Sequence, residues 1–323
     1  MNNTSGGTLE EQLRTDPFLK IWTNNFYKNL ENKAFSSPLV KPLKYLINTI
    51  PYRNMPFILV AAGPSLDKNL HLLKNYQDKS IIVCNDVILF RLYQEGIKPD
   101  FVVLIDPSDS IKRFWDFFDT SDLTLVCPTT VSPITLSSWK GKIIFFSQSD
   151  KDNYKGKVLK RIETGFGNLE NNFFVGATMM QLANILKPRL ITLIGHDFAF
   201  TDNKAYCDGV LDIKIWDNMY PVGSKEHEDQ LRIVKEQEVK KELLVEFKET
   251  KETVYTTRTL VLYKDTLTKL IKQYGLKVIN ATEGGIFYDV PNCKFEDILK
   301  HEYTQIINKK DHFNIKRKRK KKK

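Results

Sequence analysis

The sequence predicts an α/β fold, a doubly wound and mostly parallel Rossmann-like sheet with helices on both faces. Three observations carry that expectation. Short apolar runs of strand length recur from residue 57 onward. Their residues do not alternate in polarity, as suits strands buried on both faces. Helix-length segments separate several of them, and strand and helix in alternation imply right-handed crossovers within one sheet.

Taken in order, Phe18, Ile21, Trp22, Phe26, Tyr27 and Leu30 recur at three- and four-residue spacing, and Pro38 and Pro42 interrupt the pattern. Residues 1–50 therefore read as an N-terminal helical extension. The strand-sized runs are FILVAA (57–62), SIIVC (80–84), DFVVLI (100–105), LTLVC (123–127), KIIFF (142–146), RLITLI (189–194) and LKVIN (276–280). Helical patterns fall at Asp67 to Tyr76, Asp86 to Glu95 before Gly96, Ser110 to Phe118, and Gly176 to Leu186. Residues 147–175 and 202–225 are polar and too long for ordinary connections, so both are expected as loops over the crevice. Residues 226–253 are heavily charged, with Leu231, Val234, Val239, Leu243, Leu244 and Phe247 as a narrow apolar stripe, the pattern of an amphipathic helix. A second helical pattern covers 257–274. The expected organisation is a nucleotide-binding core over 51–200 and 276–300, a helical lid or acceptor-binding region over 201–275, and a disordered basic tail over 309–323.

A chain of 323 residues, 41% of them hydrophobic, can bury a substantial core. No apolar run approaches the roughly 20 residues of a spanning helix, and MNNTSGGTLEEQ has no hydrophobic signal region. No transmembrane segment and a cytoplasmic location are expected. Cys84, Cys127, Cys207 and Cys293 lie far apart, which supports neither a disulfide scaffold nor a zinc site. The formal charge of +10 is concentrated: residues 309–323 hold ten Lys or Arg and one Asp. Such a run reads as a solvated tail or as a peripheral tether to an anionic membrane face. It does not read as a nucleic-acid surface, because only Phe313 accompanies the basic residues.

In doubly wound sheets the ligand crevice lies at the carboxyl ends of the strands, so candidate residues are sought there. After the first run, Gly63 allows close backbone approach, Pro64 fixes φ, and Ser65 or Asp67 can cap a following helix whose amides would face the crevice as an anion site. Neither G-x-G-x-x-G nor a P-loop is present. Asn85 and Asp86 follow the second run and suit a ribose hydroxyl or a base. Asp106 and Asp109 follow the third and could hold a divalent cation; helix capping is the alternative for Asp86 and Asp109. Gly195, His196, Asp197 and Thr201 follow RLITLI, and His196 or Asp197 could serve as a general base. Adjacent side chains point apart, which favours Asp197.

Five segments, VAAGPSLDKN, IKPDFVV with IDPSD, FFVGATMMQLA, LIGHDFAFTDNKAY and INATEGG, occur in that order. Together they resemble the motility accessory factor family, which shares its core with archaeal-type 6-hydroxymethyl-dihydropterin diphosphokinases and is similar to bacterial sialyltransferases that use CMP-sialic acid. The resemblance covers about residues 17 to 290. It implies a glycosyltransferase that moves a nonulosonic acid, of the pseudaminic, legionaminic or sialic type, from its CMP-activated donor to Ser or Thr hydroxyls of flagellin, with no cofactor. By position, nucleotide contacts fall on Gly63, Pro64, Ser65 and Asn85. Further expectations are phosphate and ribose contacts from the helix start at Gly176, Ala177 and Thr178, nucleoside contacts from Asp106, and reach to the phosphate or sugar carboxylate from Tyr206, Tyr255 and Arg258. Family members carry long flanking domains where this chain has a short N-terminal stretch and a basic end, which implies a lipid-linked glycan at the inner membrane face as another acceptor. The diphosphokinase alternative uses ATP and Mg²⁺, with Asp106 and Asp109 as its ligands.

Overall fold

A computed structural model of the chain describes residues 17–47, 52, 54–149, 165–170, 174–210, 223–225, 228, 243–246, 253–287 and 289–308. The expected basic tail, and most of the expected crevice loops and of the 226–253 helix, lie outside these residues. The strands are β1 (Val40–Pro42), β2 (Pro56–Val60), β3 (Ile81–Asn85), β4 (Phe101–Val103), β5 (Thr124–Pro128), β6 (Lys142–Ser149), β7 (Asn168–Glu170), β8 (Leu190–Ile194), β9 (Leu243–Glu246), β10 (Thr253–Thr256) and β11 (Val278–Asn280). The α-helices are α1 (Pro17–Glu31), α2 (Lys44–Ile47), α3 (Leu70–Leu73), α4 (Leu89–Gln94), α5 (Pro133–Ser138), α6 (Val175–Leu186), α7 (Arg258–Tyr274) and α8 (Phe295–Asn308).

The main sheet runs β1-β6-β5-β4-β3-β2-β8-β11, with β7 paired to the end of β6. All these pairings are parallel. From β2 the chain steps outward through β3, β4, β5 and β6, then crosses back to lay β8 on the other side of β2. The strand order therefore reverses between β2 and β8, and the crevice of an open α/β sheet lies at such a reversal.

Period-two alternation divides each strand between two cores, which is why the runs read as unbroken apolar stretches. Ile58 and Val60 of β2 belong to one cluster with Ile82, Cys84, Leu125 and Cys127. Phe57 and Leu59 belong to the other, with Ile81, Val83 and Val126. Helix α6 lies within the second cluster and is buried at every position from Gly176 to Ala183, as expected for a helix apolar all round. Helix α7 packs on α6. Thr257 caps its start by accepting from Leu260 N at 3.1 Å, and Gly275, at φ 61°, takes the left-handed position at its end.

Several expectations change. The N-terminal region contributes β1 to the sheet as well as a helix, because Val40 to Pro42 reach the edge of β6. Residues 64–76 form no continuous helix: a 3-10 turn (Pro64–Lys68), α3 and a second 3-10 turn (Lys74–Tyr76) share the span. Residues 109–114 are likewise a 3-10 turn. The amphipathic-helix reading of 226–253 fails at 243–246 and 253, since β9 pairs antiparallel with β10, whereas Glu228 N donates to Ser224 O at 3.0 Å in a helical turn. Leu-Leu-Val-Glu and Thr-Val-Tyr-Thr are strand formers, and the buried-exposed alternation along β10 has period two. Helix α5 and strand β7 carried no signal in the sequence reading.

Candidate functional site: a cleft at the strand reversal

The carboxyl ends of β2 and β8 are tied by Ala61 N donating to Ile194 O at 3.0 Å and Gly63 N donating to Gly195 O at 2.9 Å. Around this pair Asp197 gathers three segments. Its Oδ1 accepts from Ser65 Oγ at 2.7 Å, and its Oδ2 accepts from Ser65 N at 3.1 Å and Thr201 Oγ1 at 2.5 Å. Its backbone oxygen accepts from Ile286 N at 2.8 Å. The glycines follow from this crowding. A Cβ on Gly63 would lie 2.0 Å from Asp197 Oδ1, and one on Gly195, at φ +68°, would lie 2.2 Å from Ala61 O.

This geometry corrects the anion site expected at the first turn. The amides of Gly63, Ser65 and Leu66 already donate, to Gly195 O, Asp197 Oδ2 and Gly63 O respectively, and no long helix starts there. Ser65 does not cap, because both its hydroxyl and its amide serve Asp197. Asp67 accepts from Asp208 N at 3.1 Å. Burial pushes the Asp197 carboxyl above its ordinary range, and the donations from Thr201 and Ser65 hold it back.

Beside the knot opens a cleft of about 160 Å³. Its lining takes Gly63 from the end of β2, Asn85 from β3, His196 and Asp197 after β8, Gly176 at the start of α6, and Tyr206 from the following loop. Phe174, Phe198, Phe200 and Tyr263 supply an aromatic wall, in which Phe174 stacks on Tyr263 with centroids 4.6 Å apart and planes at 13°. Phe174 is the residue before α6 and offers no side-chain cap; the Ala177 amide donates back to Phe174 O at 3.2 Å, and the start of the helix faces the cleft at Val175 and Gly176. Asn85 is 7% exposed and His196 3%. Burial holds the imidazole down to about 4, so it is neutral at pH 7, while a hydrogen bond to the Leu59 carbonyl acts in the opposite sense.

The remaining sequence candidates are distributed unevenly. Pro64, Ser65 and Thr201 are buried in the knot behind the cleft, and Ala177 and Thr178 are buried within α6. Asp86 is buried next to Asn85, its carboxyl raised to about 7 by burial and by the charge of Asp106, against backbone hydrogen bonds and Arg113. Tyr255 and Arg258 are exposed and outside the cleft lining; the Tyr255 carbonyl accepts from Phe200 N at 2.7 Å. Phe174, Phe198 and Tyr263 escaped the sequence reading. Phe174 stands in the FFVGAT segment that marked the helix start, whereas Tyr263 had no signal, because only the packing of α7 on α6 brings it there.

Asp106 and Asp109 each have one carboxylate oxygen engaged by a nearby serine. Asp106 Oδ1 accepts from Ser108 N at 2.8 Å and Ser108 Oγ at 2.5 Å, and Asp109 Oδ1 accepts from Ser132 Oγ at 2.5 Å. Ser132 is itself the cap of α5. Among the described residues no group of three or more His, Cys, Asp or Glu could hold a metal ion. No helix among them is long and apolar enough to cross a membrane.

No curated protein matches the chain. Among solved structures, the fold is similar to that of a Maf glycosyltransferase from Magnetospirillum magneticum AMB-1, with a TM-score of 0.54 and 16% identity. The match covers 79% of this chain and 38% of that one, so this chain spans well under half of the length of its neighbour. At that identity the likeness establishes a shared fold. Residues 24–203, from α1 through the turn after Phe200, match the 6-hydroxymethylpterin diphosphokinase MptE-like family. That span is more than half of the chain and contains the β2–β8 reversal, the Asp197 knot and most of the cleft; the chain belongs to the MptE-like family.

Proposed function

We propose that this chain is a glycosyltransferase that takes a nonulosonic acid, of the pseudaminic, legionaminic or sialic type, from a CMP-activated donor to a hydroxyl acceptor, with flagellin Ser or Thr as the first acceptor to test. The observation that carries the reading is the cleft at the strand reversal, with its aromatic wall, buried polar groups and uncapped helix start. The fold shared with a Maf glycosyltransferase supports it. In this reading the first amides of α6 receive the donor phosphate, Asn85 and His196 face the nucleoside, and the aromatic wall excludes water from the bond that breaks. Asp197 holds the Ser65 and Thr201 segments and is a positioning residue. His196, titrating near 4, is poorly matched to a base at neutral pH.

The family's description favours a second reading, pyrophosphoryl transfer from ATP to a hydroxymethylpterin. That reaction relies on Mg²⁺, and each carboxylate of the Asp106 and Asp109 pair already accepts a serine hydroxyl through one oxygen, from Ser108 and Ser132 respectively. The basic run at 309–323 supports peripheral contact with an anionic membrane, where a lipid-linked glycan would be the acceptor.

The test is release of CMP from CMP-sialic, CMP-pseudaminic and CMP-legionaminic acids in the presence of EDTA and an acceptor extract. Release from at least one donor is expected, together with thermal stabilisation by CMP alone. Stabilisation only by ATP with Mg²⁺, and no CMP release, would replace this reading by the kinase.

A further inference from the structure

We propose that His196 is a ligand-reading residue: its Nε2, with Oδ1 of Asn85, forms a pair of buried acceptors that receives the two hydroxyls of a ribose cis-diol. The inference rests on the nucleotide reading above and adds which part of the nucleotide the cleft reads.

Both atoms are buried and have no hydrogen-bond partner within the protein, and both residues line the same cleft. Buried polar atoms are nearly always paired, and each exception calls for an explanation. For His196 the explanation follows from its other nitrogen. The ring's hydrogen bond to the Leu59 carbonyl falls to Nδ1, since Nε2 is the unpartnered atom. A carbonyl only accepts, so Nδ1 carries the proton and Nε2 of the neutral ring presents a lone pair. The hydrophobic surroundings offer it no donor: Phe198 stands 6.2 Å away, centroid to centroid, and the Cβ position of Gly176 is 3.7 Å from Cε1. A Cβ at residue 176 would lie 2.7 Å from Cε2 of Phe174, so glycine there lets the Phe174 ring pack against the start of α6.

Two acceptors without donors select a ligand that brings two donors. The cleft volume, about 160 Å³, is close to that of a cavity that accepts one benzene-sized ring, so one ring of the nucleotide fits and the rest extends outward. A ribose supplies two adjacent O–H donors from such a ring. The cytosine amine is the other source of paired donors on the same molecule, and the comparison of nucleotides separates the two.

The experiment is calorimetric titration of the full chain with CMP, 2′-deoxy-CMP and UMP, repeated for His196→Gln, His196→Phe and Asn85→Ala, each checked for an unfolding midpoint near that of the parent. For the parent, 2′-deoxy-CMP should bind at least about tenfold more weakly than CMP, because one buried acceptor is left unmatched, while UMP should stay within about threefold. His196→Phe should weaken CMP by a similar factor and reduce the discrimination against 2′-deoxy-CMP. His196→Gln, which keeps an acceptor oxygen near the Nε2 position, should recover part of both. Equal binding of CMP and 2′-deoxy-CMP by the parent overturns the inference while leaving the nucleotide reading standing. A loss with UMP in place of 2′-deoxy-CMP assigns the donors to the base and overturns the diol assignment. If His196→Phe does not fold, the ratio of CMP to 2′-deoxy-CMP affinity in His196→Gln and Asn85→Ala decides the same point. Binding of none of the three nucleotides overturns the nucleotide reading, and this inference with it.

Discussion

Gly63 looked like a residue reserved for a ligand, yet its neighbours explain it without one. An added methyl would overlap Asp197 Oδ1 at 2.0 Å and Gly195 O at 2.4 Å, and both atoms are fixed by hydrogen bonds. Gly63→Ala should therefore cost at least about 3 kcal/mol in urea unfolding, and a change within about 0.5 kcal/mol would show that the knot yields. Asp86 and His196 give the site opposing dependences on pH. The Asp86 carboxyl is raised from 3.8 to about 7, so between those values the folded chain holds more protons than the unfolded one and stability falls as pH rises. His196 is lowered from 6.5 to about 4, so the unfolded chain holds more protons in that window and stability falls as pH drops. Asp86→Asn, which keeps an acceptor oxygen, should stabilise the protein at pH 8 by up to about 4 kcal/mol, and the gain should vanish near pH 4. A stability difference that does not vary with pH would show that Asp86 does not titrate in this window.

At the scale of elements, helix α1 is bound to the carboxyl edge of the sheet by two buried asparagines. Asn25 Nδ2 donates to Pro107 O at 2.9 Å and Thr130 O at 3.1 Å, and Asn29 Nδ2 to Thr129 O at 3.1 Å and Val131 O at 2.8 Å. The helix thus clamps the loops after β4 and β5, including the one that carries Asp106. Replacing both asparagines by alanine removes four donations to carbonyls in a largely buried setting and should cost about 2–4 kcal/mol. Amide exchange should accelerate first at Val131, whose N–H bonds Pro128 O within the clamped loop. Uniform exchange across the sheet would instead mark a global loss of stability. Strands β2 to β6, β8 and β11 were legible in the sequence, because burial on two faces leaves unbroken apolar runs. The broken helix over 64–76 and the β9–β10 hairpin were less so, since Leu and Val suit either period in short segments and long-range pairing made the choice.

For the molecule as a whole, charge and chemistry are separated along the chain: nearly all of the net +10 lies at 309–323, and the cleft is walled by aromatic and small residues. Removal of 309–323 should abolish binding to anionic vesicles while leaving CMP affinity within about twofold; CMP binding lost without loss of fold would place the tail in the site. From the sequence alone came the doubly wound class, the strand ends as the place to look, and the segments at Gly63, Asn85, Gly176 and His196, because side-chain period and turn residues are local properties. Tertiary structure decided what each does there. Whether the amide of Ser65 meets an anion or Asp197, whether Asp109 meets a cation or Ser132, and whether Tyr263 reaches the cleft all depend on partners far away in the chain. Packing sets those distances, and no local pattern encodes them.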